Sequence, residues 1–200
     1  MINVEKILIY QKQLVADWHE KLEATETILP WKYIEENHFY NFSLWHEEDV
    51  ARIKNIDDAR IVLAKRNIDR FNQNRNNAME RIDEWVLNFT EKNGQAGADA
   101  MMHSETPGMM IDRLSIMALK RYHMQEEVDR IDASPDHIAK CAGKVAVLDE
   151  QIKDLANTLK RILSELETGT LKFKVYRQFK MYNDPSLNPE LYKRQQQSVE

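Results

Sequence analysis

Two hundred residues are enough to bury one sizeable core and too few for two domains to be expected. A composition of 42 % hydrophobic and 30 % charged residues excludes a disordered or membrane-embedded chain. The net charge of −5, with both signs interleaved, excludes a dedicated nucleic-acid binder, and 5 Gly with 5 Pro are too few turn-formers for a many-stranded sheet.

The opening Met1-Ile2-Asn3-Val4-Glu5-Lys6 puts an acid and a base inside a would-be apolar region and offers no small-residue cleavage site. It does not read as a secretion signal. No apolar run approaches the ~20 residues of a membrane span, so a cytoplasmic location is expected. A first helix is predicted from Asn3 to Ala24, with Val4, Ile7, Leu14, Trp18 and Leu22 on one side, ended by Leu29-Pro30-Trp31. A second is predicted over Ile34–Ile53. Its spacing places Asn41, Trp45, Glu48 and Arg52 on one face, and Phe42, His46 and Asp49 on the next.

The third predicted helix runs from Asp57 to Glu91. Its stripe of Ile61, Ala64, Ile68, Phe71, Arg75, Ala78, Ile82, Trp85 and Phe89 is apolar except at Arg75. A cation carried into such a stripe needs acceptors. Asn72, Asn74, Asn76 and Asn77 around it are poor residues for a helix interior. Local preference opposing the global pattern marks a functional or strained site. Residues 92–105 read as a loop.

Thr106-Pro107 and Ser134-Pro135 are each a cap followed by a favoured first residue, and they start the fourth and fifth helices. The fourth ends between Arg130 and Ala133. The fifth reaches Glu167, with Gly169 as its stop, and carries an unbroken seam: Ile138, Cys141, Val145, Leu148, Ile152, Leu155, Leu159, Ile162 and Leu166. The lone Cys141 excludes an intramolecular disulfide and a thiolate metal cluster, and its place on the seam predicts a buried, inert thiol. From Thr170 to Gln195 the chain is locally basic (Lys172, Lys174, Arg177, Lys180, Lys193 and Arg194 against Asp184 and Glu190). One short helix is predicted there, with turns at Asn183-Asp184-Pro185 and Asn188-Pro189. The expected architecture is an all-α antiparallel bundle of about five long helices in one domain over 1–200, with 170–200 as a basic extension packed on an acidic body.

The capped helix start at Thr106 offers free backbone N–H groups to an anion, and Gly108 would let a ligand come close. Asp112, Arg113 and Lys120 could reach the same region. Metal chemistry finds little local support. A di-iron bundle needs two Glu-x-x-His pairs plus two more Glu; Glu35-x-x-His38 is one pair, His123-x-x-Glu126 is reversed, and His46-x-x-Asp49 completes at most a single-metal site. No phosphate loop or zinc spacing occurs, so neither metal nor cofactor is expected.

Several segments together carry a resemblance: Leu44-Trp45-His46-Glu47-Glu48-Asp49, Asn72-Gln73-Asn74-Arg75-Asn76, Ser104-Glu105-Thr106-Pro107-Gly108, Ile111-Asp112-Arg113-Leu114-Ser115-Ile116, and Tyr176 to Pro185. Over nearly its whole length the chain resembles the bacterial domain-of-unknown-function family 4254. That resemblance brings no activity and no catalytic residues. Such genes often lie near glycosyltransferase and cell-envelope sugar genes, which implies a lean towards sugar or nucleotide-sugar metabolism. The Pro-Gly-x-x-Ile-Asp-Arg-Leu-Ser-Ile helix start is also similar to that of small helical domains linked to glycan assembly.

Two readings follow. In the first, His46, Asp49, Arg52, Asn72, Arg75, Asn76, Asp112 and Arg113 converge on one pocket that takes a small anionic ligand such as a sugar phosphate or nucleotide sugar, with Thr106 to Gly108 donating N–H groups. Were there catalysis, His46 paired with Asp49 would be the acid–base candidate. In the second, the polar cluster fixes helix register and the protein is a non-catalytic accessory subunit of a glycosyltransferase. Self-association is left open by both. A helical mutase or pyrophosphohydrolase ranks below them, for want of paired acidic metal motifs.

Overall fold

A computed structural model describes residues 1–94, 96–179, 181 and 184–197. Lys180 and Asn183, assigned above to the basic tail and its turn, lie outside the described residues. The chain is an all-α bundle: α1 (Val4–Glu20), α2 (Trp31–Val50), α3 (Asp58–Asn93), α4 (Pro107–Asp129), α5 (Pro135–Glu167) and α6 (Pro189–Gln197). Two-residue strands β1 (Met101–Met102) and β2 (Leu171–Lys172) pair in parallel, Met101 opposite Leu171.

The caps act as their residue types dictate. Thr106 Oγ1 accepts from Met109 N at 3.2 Å and Ser134 Oγ from His137 N at 3.3 Å, while Asn3 Oδ1 accepts from Lys6 N at 2.8 Å. Gly169, at φ 74°, supplies the left-handed residue that closes α5. α2 packs against α3 and α4 against α5, and α1 packs against α4 and, less extensively, α2. On α5, Leu155, Leu159, Ile162, Leu163 and Leu166 are buried with Ile34, Ile82, Val86, Met110, Ile111 and Leu114 in the main core. Each such side chain contributes roughly 1.5–3 kcal/mol. Cys141 is buried near the other end of the same seam.

Two differences from the sequence expectation have physical causes. α1 stops at Glu20, short of Ala24, because Glu35 pulls the following chain away: its buried carboxylate accepts Thr25 N at 2.9 Å and Glu26 N at 2.6 Å. This use of Glu35 also takes it away from the Glu-x-x-His pair. The 92–105 segment is tied down by the β1–β2 bridge, with Met101 N donating to Thr170 O and His103 N to Lys172 O. In the basic tail, Arg177 donates to Glu80 at 2.9 Å and to Glu84, both on α3. No helix among the described residues is long and apolar enough to cross a membrane.

Candidate functional site

The polar residues between α1, α2 and α4 form a buried hydrogen-bond network. Asn37 Nδ2 and Asn41 Nδ2 each donate to Asp112 Oδ1 at 2.9 Å. The second proton of Asn41 Nδ2 goes to Ser115 Oγ at 3.0 Å. His38 Nε2 lies 2.9 Å from Gln11 O, and a carbonyl can only accept, so this nitrogen donates. Complete burial pushes the His38 imidazole down to about 3. The neutral ring therefore accepts at Nδ1 the Ser115 hydroxyl proton, across 2.7 Å. These donors each meet an acceptor, as burial demands, while Gln11 Oε1 is buried without a partner.

Arg75 stands apart from that network. Its Nε is buried without a hydrogen-bond partner and lies 3.7 Å from Asp112 Oδ1, an ion-pair distance beyond hydrogen-bond reach. Asp112 Oδ1 already accepts from two amides. The Arg75 guanidinium borders an opening of about 360 Å³, whose wall includes Asn41, Trp45, Glu48, Arg52 and Asn72. The α2 face Asn41, Trp45, Glu48 thus meets Asn72 and Arg75 of α3, with Asp49 also at the rim; Arg52 joins them from the turn after α2, which ends at Val50 and not at the expected Ile53. Arg52 is exposed and pairs with Glu48 at 2.5 Å.

Other sequence-predicted residues lie elsewhere. Asp112 and Arg113 are about 100° apart on one helix, so while Asp112 faces the network, Arg113 pairs with Glu105 and borders a separate cavity with Lys120. Asn76 is buried but does not border the Arg75 opening. His46 makes no hydrogen bond to Asp49; its ring contacts are Phe42, His19 and His123. Its pKa is lowered by burial first, then by the two neighbouring histidines.

The donors at the start of α4 are taken up internally. Asp83 of α3 accepts the Thr106 hydroxyl at 2.5 Å and Gly108 N at 2.6 Å. It occupies the place that the sequence reading gave to an anionic ligand. Gly108 serves helix contact: a Cβ there would lie 2.4 Å from Met79 O and 2.8 Å from Asp83 Oδ1. Burial raises the Asp83 carboxyl to about 7, against the lowering effect of the two hydrogen bonds.

A family model described as "Protein of unknown function" (DUF4254) matches residues 31–175. The chain belongs to the DUF4254 family. No curated protein and no solved structure matches it significantly. The matched stretch holds the Arg75 opening, Asp83 and all of the network except Gln11, which lies upstream of it.

In this DUF4254 chain, several buried polar residues had no role expected from the sequence: Gln11, Asn37, Asn41 and Asp83. The available signal was on α2, where Glu35, Asn37, His38, Asn41 and Ser43 fall among aromatic residues in a helix with little amphipathic contrast. A helix polar within its buried faces must donate to its neighbours. Asp83 is signalled more weakly, one position after Ile82 in the apolar stripe. His19 and His123 had no local signal as partners of His46, because the three come from different helices.

Proposed function

We propose that the opening between α2, α3 and α4 binds a small anionic ligand, with the Arg75 guanidinium as its main charge partner. The observation that carries this reading is Arg75 Nε, which is buried at the edge of a cavity, at ion-pair distance from Asp112 but without a hydrogen-bond partner. Guanidinium suits phosphate or carboxylate through paired N–H donors. Asn72 adds amide donor and acceptor groups at the wall, and Asn41 forms the floor. Arg52 becomes a second cation when its exposed pair with Glu48 opens, a cheap change for a surface ion pair. At about 360 Å³ the opening is near the lower end of ligand-site volumes, which favours a sugar phosphate over a nucleotide sugar. A link to cell-envelope glycan metabolism is part of the same proposal and follows the family resemblance rather than the geometry.

A non-catalytic accessory subunit for a glycosyltransferase is the second reading. It draws on the buried network of His38, Ser115, Asn41, Asn37 and Asp112, which fixes helix register without a ligand. Thermal melting of wild type and Arg75→Met against inorganic phosphate, sugar phosphates and nucleotide sugars separates the two. Saturation at 100 times Kd adds ~2.7 kcal/mol, which at ~2–4 °C per kcal/mol raises Tm by about 5–11 °C. The anion reading expects that rise in wild type and its loss in Arg75→Met. No rise with any of these ligands supports the accessory reading.

A further inference from the structure

We propose that His19, His46 and His123 form a binding site for one divalent transition-metal ion of the zinc class. The three residues come from α1, α2 and α4, and one ring nitrogen of each lies within 4.8 Å of the others. Tetrahedral zinc with Zn–N bonds of ~2.0–2.1 Å holds its nitrogens roughly 3.3 Å apart, a gap that small side-chain rotations close.

The hydrogen bonds around the rings point to the same use. His19 Nδ1 lies 2.6 Å from Val15 O, and His123 Nδ1 lies 2.7 Å from Glu126 Oε2. Both partners can only accept, so Nδ1 carries the proton and the neutral ring presents its lone pair at Nε2. Backbone carbonyls and carboxylates on the far nitrogen are the customary supports of metal-binding histidines. Nε2 of His46 and Nε2 of His123 are buried and have no hydrogen-bond partner, which is costly unless something else satisfies them.

The rings are also held in place. Tyr122 stacks on His19 and Trp45 on His123, each with centroids 4.7 Å apart, and Phe42 packs its edge against His19 and His46. Three imidazoles select zinc, cobalt, nickel or copper over magnesium or calcium and leave a fourth position for water or a ligand oxygen. His123 and Glu126 border a cavity of about 850 Å³ that also presents Lys120, Lys140 and Lys144, so an anion bound there would lie close to the metal. This inference does not rest on the Arg75 reading.

The test is a titration of the full chain with Co²⁺, followed by its visible absorption, and with Zn²⁺ by calorimetry. One ion per chain and the absorption of tetrahedral Co²⁺ are expected. The exposed His19 can be changed with little risk to folding, so His19→Ala is expected to weaken binding about 100-fold or more, and Glu126→Gln about 10–100-fold. His137→Ala, next to Cys141 and Glu127 in a different cluster, is expected to leave binding unchanged. Circular dichroism confirms that each variant is folded. Absence of binding at micromolar metal overturns the site, as does binding that survives His19→Ala and His123→Ala or is lost in His137→Ala.

Discussion

Asp83→Asn is expected to make the protein lose stability as the pH falls from about 6.5 to about 4, and His38→Gln to make it lose stability as the pH rises over the same range. The wild type should change less than either. An acid whose folded pKa is raised stabilises the fold below its unfolded value, and that contribution is lost as the pH climbs from 3.8 towards about 7. A base whose folded pKa is lowered acts the other way. His38 leaves the fold intact above 6.5 and opposes it increasingly as the pH falls towards about 3, because the unfolded chain takes up a proton that the buried ring refuses. At ~1.4 kcal/mol per pKa unit, each effect is of order 4 kcal/mol at full extent, so in wild type the two largely offset each other between about pH 4 and 6.5. Urea midpoints of the three proteins across that range give the slopes. Parallel curves would show that neither buried group titrates as its surroundings imply.

Gly108→Ala and Gly143→Ala should move stability in opposite directions although both sites are helical. A methyl at Gly108 meets the Met79 carbonyl at 2.4 Å and the Asp83 carboxylate at 2.8 Å. Either α3 and α4 separate or Asp83 leaves the Gly108 N–H. Overpacking typically costs about 1–3 kcal/mol, and a displaced buried carboxylate adds to it. We expect a loss of about 3 kcal/mol or more, a fall in Tm of roughly 6–12 °C. At Gly143 nothing lies within 4 Å of the added methyl, and there alanine should stabilise by about 0.4–1 kcal/mol through its helix preference and the stiffer unfolded chain. A tolerated Gly108→Ala would mean that the helices do not approach as closely as described.

The helices were legible because their signals are local. Caps at Thr106 and Ser134, the 3-4 seam of α5 and the stop at Gly169 each depend on residues within a turn or two of one another. What failed depends on contacts between distant residues. Nothing near Ala24 announces that Glu35 will bond to Thr25 and Glu26, and nothing in residues 92–105 announces a pairing with Leu171. Arg75 stood out because one charge in an apolar stripe is a conflict visible in the sequence, and it does border a cavity. The Thr106 to Gly108 start does offer free donors, but the carboxyl that takes them is Asp83, 25 residues before Gly108. His46 pointed to Asp49 only while α2 was considered alone. With α1 and α4 in place, its neighbours are His19 and His123.

If Arg75 serves a ligand, the fold should not need it, since it makes no hydrogen bond to the network beneath it. Urea unfolding of Arg75→Met without any ligand tests this most directly. Because Asp112 keeps both asparagine amides, the variant should unfold within about 1 kcal/mol of wild type. A loss of about 3 kcal/mol or more, the cost of breaking a buried ion pair, would make Arg75 a structural member of the core, paired with Asp112, and not a ligand's charge partner.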